Sequence, residues 1–227
     1  MVFFEPVMGI EEVGMTEQYG YYDYKVIDLK EIPEEKKSEY VLTCDFSVSI
    51  EWAHQLYLAN MSAVRGSSSD PRDYTSTILR MAVLVKENEN YRPQIIWIPD
   101  VIVLNLLDNG KVDTSPESLR TETSIPVINA AGEATSISVE EASGSCVVDG
   151  ITYVWGDITE PCYVTDIVQG EECRIRVVIW VDGSDGDCQN SLLSGNVSVE
   201  MNLTAIKPST ETASETITVT DPEDGLE

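Results

Sequence analysis

Short runs of β-branched and aromatic residues, separated by turn signals, make up most of this chain, and the 3.6-residue apolar period of an amphipathic helix is almost absent. The runs Gln94 to Leu107 and Arg174-Ile-Arg-Val-Val-Ile-Trp-Val181 read as buried strands, and Leu79-Arg-Met-Ala-Val-Leu-Val85 as another strand. Other segments alternate. From Tyr40 to Leu58 apolar and polar residues exchange places, as in a half-buried strand, and Val197, Val199, Met201 and Leu203 share one side of a late strand over 196–206. Further strands are expected at Val147 to Trp155, Cys162 to Val168 and Cys173 to Val181, and a short helix ahead of Leu79. Turns are expected at Gly66 to Arg72, at Asn88 to Arg92 and, as a hairpin, at Asp108-Asn-Gly110. The fold class this predicts is all-β, a two-sheet jelly-roll-like sandwich with extended N- and C-terminal arms.

Three regions follow from the composition along the chain. Residues 1–24 form an N-terminal arm with an apolar start and the cluster Tyr19-Gly-Tyr-Tyr-Asp-Tyr24. Residues 25–206 hold the sandwich, interrupted at 112–145 by a Ser/Thr/Glu-rich stretch read as a long surface excursion with weaker strands near Ile125 to Ile128 and Thr135 to Val139. Residues 207–227 are an acidic Ser/Thr-rich tail in which Thr216-Ile-Thr-Val-Thr220 has the pattern of an edge strand.

Charge narrows the partners. With 40 acidic and 14 basic residues the formal net charge is -26, which repels phosphate backbones and anionic bilayers, so nucleic acid is not an expected partner. No apolar run reaches the roughly 18–20 residues of a membrane helix, so no membrane insertion is expected. Self-association has to offset the same repulsion through counter-ions, divalent cations or strand pairing.

Catalytic chemistry has few candidates. There is one histidine, His54, beside Trp52 in a strand-like segment, and no nucleophile elbow, phosphate loop, dinucleotide fingerprint or zinc-protease motif. An enzyme is therefore not expected. The five cysteines, Cys44, Cys146, Cys162, Cys173 and Cys188, include no Cys-x-x-Cys pair. They leave two readings open: one or two disulfides with a leftover thiol, Cys146 with Cys162 being the easiest pair, or five reduced thiols. No organic cofactor is implied. One metal candidate is the loop after the Arg174 strand, where Asp182, Asp185 and Asp187 converge at short spacing; such loops bind calcium when carbonyls complete the shell, and otherwise form solvated turns.

That same run, Ile179-Trp-Val-Asp-Gly-Ser-Asp-Gly-Asp-Cys188, followed by Gly195-Asn-Val-Ser-Val-Glu-Met-Asn-Leu203, resembles the C-terminal region of the TasA and camelysin-like proteins. Ile78-Leu-Arg-Met-Ala-Val-Leu-Val85 and Ile96-Trp-Ile-Pro99 are similar to another core segment of that group, whose members are exported through a SipW-type signal peptidase. The resemblance implies a secreted or cell-surface subunit of an extracellular matrix fibre or pilus-like filament, a homopolymer in which one copy lends a strand to the next, with matrix or surface partners. Strand donation also has a physical case, because an unpaired β edge is a template for an added strand. The first candidate donor is residues 1–24, with Val2, Phe3, Phe4, Tyr19, Tyr21, Tyr22 and Tyr24 as pocket-fillers; the second is residues 214–220. A different class stays open beside it: a monomeric carbohydrate-binding or adhesin module using Trp97, Trp155 or the tyrosine cluster.

Overall fold

The computed structural model describes residues 9–16, 21–28, 31–52, 54–60, 62–66, 75–103, 120–121, 124–128, 134–182 and 197–207. In chain order its strands are β1 (Gly9–Thr16), β2 (Tyr21–Asp28), β3 (Val41–Ser49), β4 (His54–Leu58), β5 (Ala63–Gly66), β6 (Leu79–Glu87), β7 (Asn90–Ile98), β8 (Ile102–Val103) and β9 (Arg120–Thr121). They continue as β10 (Ser124–Ile128), β11 (Ala134–Ser138), β12 (Gly144–Val148), β13 (Ile151–Trp155), β14 (Cys162–Ile167), β15 (Glu172–Val181), β16 (Val197–Glu200) and β17 (Leu203–Ile206). Among the described residues helix is confined to single turns, α1 (Lys37–Tyr40) and α2 (Thr75–Ile78), with a 3-10 turn before α1. The protein is an all-β sandwich.

A six-stranded sheet in the order β12-β13-β7-β6-β15-β3 is its centre, antiparallel except for the parallel pair β13 and β7. Its inner face presents Met81, Val83, Val85, Ile95, Trp97, Val154 and Ile175 to a three-stranded sheet, β14-β4-β17, which contributes Leu56, Leu58, Val164 and Ile167. The other face is covered twice. Ile32 lies over Ala82, Leu84 and Val178, while the β10–β11 hairpin packs Ile125, Val127 and Ile137 against Ile98, Tyr153 and Trp155. This double cover explains why β6 is apolar at consecutive positions: both parities of its side chains are buried. Fully burying one such side chain contributes about 1.5–3 kcal/mol.

Turn chemistry closes the hairpins. Asn88 takes a φ of 54° between β6 and β7, and Asp149 and Gly150 take φ of 51° and 80° between β12 and β13. Two successive positive φ values are what a type I′ turn requires, so Val147 to Trp155, expected as one strand, is a hairpin. The alternating stretch from Tyr40 likewise divides into β3 and β4, and the late strand into β16 and β17. There, four residues at 59–62 face two at 201–202, since Leu58 pairs with Leu203 and Ala63 with Glu200. The buried Ser62 hydroxyl secures this bulge by accepting from the Asn202 amide at 2.9 Å.

The 112–145 stretch needs correction. Its described strands are not a surface excursion, because Ile125 is fully buried and Val127, Ile137 and Val139 nearly so. The two weaker strands expected near Ile125 to Ile128 and Thr135 to Val139 are β10 and β11; what the Ser/Thr-rich composition hid is that Ile125, Val127, Ile137 and Val139 face the core. The N-terminal arm is a ribbon in which β1 and β2 pair with each other, carrying Tyr21, Tyr22 and Tyr24 and extending past residue 24 to Asp28. Val2, Phe3, Phe4 and Tyr19 lie outside the described residues, as do the Asp108-Asn-Gly110 hairpin and most of the 207–227 tail. Cys44, Cys146, Cys162 and Cys173 are free thiols. Of the two readings left open, the Cys146 to Cys162 disulfide does not form: the two pack against cores on opposite faces of the six-stranded sheet.

Candidate functional site

β3 is an outer strand of the central sheet, and its two faces differ in kind. Antiparallel pairing sets Val48, Phe46, Cys44 and Leu42 opposite Cys173, Ile175, Val177 and Ile179 of β15, on the inner, core-forming side. Yet the cover runs out along the strand. Val48 packs against the core, Phe46 is 37% exposed and Leu42 60% exposed, with Cys44 exposed between them. The best-covered end is the one where the chain crosses from Ser49 to β4 within a few residues and links the two sheets. Along its other side β3 pairs, among the described residues, with no strand.

The outer face of β3 is polar and internally compensated. Arg176 Nε and Nη2 each donate to the Asp45 carboxylate at 2.7 Å, and the guanidinium stacks 4.0 Å from the Tyr91 ring centroid. The hydrogen bond from Arg176 holds the Asp45 carboxyl below its usual range, and Asp45 raises Arg176 in return. Ser47 donates to Glu172, which also pairs with Arg174 at 3.4 Å; the Ser47 bond first and Arg174 second lower the Glu172 carboxyl. A strand approaching β3 meets paired carboxylates, so local repulsion is smaller than a net charge of -26 suggests.

The acidic loop is rooted elsewhere. Asp182 closes β15, its amide donating to the Ile78 carbonyl at 2.8 Å, and its carboxylate lies 3.2 Å from Nε of the buried Arg80. Arg80 Nη1 donates to the Thr77 and Leu79 carbonyls at 2.7 and 3.0 Å. Asp182 is thus engaged by a buried cation, and Asp185 and Asp187 lie outside the described residues. Among the described residues no group of three or more His, Cys, Asp or Glu side chains is arranged to hold a metal ion.

Nearby, burial pushes the Asp100 carboxyl up, against hydrogen bonds from the Ile102 amide and the Ser76 hydroxyl. Burial also raises the Cys146, Cys162 and Cys173 thiols, which keeps them protonated and weakly nucleophilic at neutral pH. His54 Nδ1 bonds the Trp52 carbonyl. Trp97 and Trp155, expected as exposed ligand contacts, are core residues whose indole N–H groups donate to the Gly156 and Glu141 carbonyls at 2.8 and 3.0 Å. The exposed aromatics are others. Tyr163 is 45% exposed and meets Tyr57 edge to face at 5.7 Å on the outer side of the three-stranded sheet.

Sequence reasoning placed β3 among half-buried strands and missed that its inner face is open. The strict parity of Thr43, Asp45, Ser47 and Ser49 against Leu42, Cys44, Phe46 and Val48 marks which side chains share a face, and it carries no signal for whether a second sheet covers that face. No family model matches the chain, and neither the curated proteins nor the solved structures yield a match.

Proposed function

We propose that this chain is a non-catalytic structural subunit of an extracellular matrix fibre or surface filament, whose copies join by adding an extended segment of one to the β3 edge of the next. The observation that carries the reading is β3 itself: nine residues with one hydrogen-bonding side unpaired among the described residues and with Leu42, Cys44 and Phe46 exposed on the core-forming face. An added strand there gains main-chain hydrogen bonds and buries those side chains. The resemblance of residues 174–190 to TasA and camelysin-like proteins points the same way. Negative-stain microscopy of the purified chain, with and without calcium, tests it. Filaments are expected from the parent and none from Phe46→Lys, which sets a charge in the acceptor face; a monomeric parent under both conditions overturns the reading.

A second reading, a monomeric surface module that binds a saccharide, is favoured by Tyr163 and Tyr57 beside the Gln55 to Asp166 hydrogen bond. Aromatic faces next to amide and carboxylate groups suit sugar rings. Glycan-array binding lost in Tyr163→Ala would support it.

A further inference from the structure

The β3 edge is also where this chain's own tail fits. The chain leaves the described fold at Lys207, just after Ile206, which pairs with Gln55 at the start of β4. Gln55 follows Ser49, the end of β3, by a short crossover, so the tail departs at the end of the sandwich where β3 finishes. Residues 208–215 separate Lys207 from Thr216-Ile-Thr-Val-Thr220. Fully extended, eight residues reach about 26–29 Å, enough to return along β3 from Ser49 toward Val41, antiparallel to it.

The side chains agree with that course. One antiparallel register sets Thr216 against Ser47, Ile217 against Phe46, Thr218 against Asp45, Val219 against Cys44 and Thr220 against Thr43. Every apolar residue then meets the apolar inner face of β3, and every threonine its polar outer face. β-branched with aromatic and Thr with Ser or Thr are favourable cross-strand pairs. The segment is uncharged in a strongly acidic chain, so it adds no repulsion at Asp45. By contrast, two β3 strands pairing antiparallel about their centre would set Asp45 against Asp45, and like charges directly opposite destabilise. Residues 2–4 carry apolar side chains on both parities, which does not suit the polar outer face.

We propose that Thr216–Thr220 docks as an added strand on β3 of its own chain and caps that edge. Tethering decides for the same copy: eight intervening residues hold the segment at an effective concentration on the order of millimolar, far above that of a second copy in dilute solution. The capping inference rests on the assembly reading for its consequence, namely that the tail competes with an incoming strand and slows polymerisation.

Amide hydrogen exchange over Val41–Ser49 tests it in the full chain. The amides of β3 that do not bond β15 are expected to exchange at least about tenfold more slowly in the parent than in the Ile217→Lys/Val219→Lys double variant. Thr218→Lys, whose side chain faces outward beside Asp45, is expected to keep the protection. Equal exchange in parent and double variant overturns the docking, and protection that grows with protein concentration overturns its intramolecular character. Under assembly conditions the double variant should form filaments faster than the parent. If the double variant fails where the parent assembles, the tail is a donor to a second copy and self-capping falls; if neither assembles, the filament reading falls while the exchange result still decides whether the tail caps β3.

Discussion

β6 and β3 belong to one sheet, with β15 alone between them, and they are opposite extremes. Every β6 residue from Leu79 to Val85 is buried, whereas no residue of β3 is. Their inner faces have similar chemistry: Met81, Val83 and Val85 in one, Leu42, Cys44, Phe46 and Val48 in the other. What differs is the layer above. The three-stranded sheet covers β6 and stops short of most of β3, so the same kind of side chain stabilises the fold in one place and stays available for association in the other. Mutations should therefore change folding at β6 and assembly at β3.

The largest loss is expected at the buried end of β6. Asp182→Ala removes the carboxylate 3.2 Å from Nε of the buried Arg80, and removing one partner of a buried pair costs about 3–5 kcal/mol. Urea unfolding would read this, and a loss comparable to that of a surface substitution would mean that Arg80 is hydrated. Next come two residues that face each other across β15 and β3, Ile175 and Phe46. Ile175→Ala should cost about 2–5 kcal/mol through transfer and cavity terms. Phe46→Ala should change stability by about 0.5 kcal/mol or less, in the range of surface substitutions, while weakening assembly. Equal losses at the two positions would break the contrast between covered and uncovered faces.

A smaller effect separates two glycines at turns. Gly156 has a φ of 66°, and a Cβ there would sit 2.0 Å from the Ala142 carbonyl oxygen, so Gly156→Ala has to move backbone beside the Trp97 hydrogen bond. Gly150 has a φ of 80° with open space around it, so Gly150→Ala pays for the dihedral alone, about 1 kcal/mol. Thermal unfolding should rank Gly156→Ala clearly below Gly150→Ala; the reverse order would locate the strain in φ and not in the packing of residues 142–143.

The sandwich was legible because β6, β7 and β15 carry patterns that their own burial requires. Continuous Val and Ile runs need cover on both faces, and they receive it from different elements. The β10–β11 cover was hidden: four inward apolar residues among many Ser, Thr and Glu give little periodic signal, although they pack against Ile98, Tyr153 and Trp155. Splitting Val147 to Trp155 into a hairpin was readable from Asp149-Gly150. The openness of β3 was not, since alternation reports which side chains share a face and says nothing about whether another sheet reaches that face. Arg80 was invisible for a related reason: one cation inside an apolar strand becomes informative when Asp182 is brought to it by the pairing of β15 with β6.

The smallest expected effects concern pH and carry opposite signs in the covered and uncovered regions. Burial raises Asp100 above the usual 3.8, so the folded state binds its proton more readily than the unfolded chain. Its stabilising contribution is fully present below 3.8 and is lost as pH rises through the raised value, so acidification from neutrality should first stabilise the fold through this group. Asp100→Asn, which keeps an acceptor for the Ile102 amide, should remove that rise and make the variant at least as stable as the parent at neutral pH. Asp45 is lowered from 3.8 by Arg176, so its contribution is present above 3.8 and is lost as pH falls through the lowered value. The pair is solvent-exposed, and its contribution is about 0–1 kcal/mol. Melting curves from neutral to acidic pH should show Asp100→Asn altering the upper part of the profile and Asp45→Asn slightly altering the lower part. A larger effect from Asp45→Asn would mean that the outer face of β3 holds the sheet together more than its exposure implies, and that the edge is part of the fold's stability as well as a surface for association.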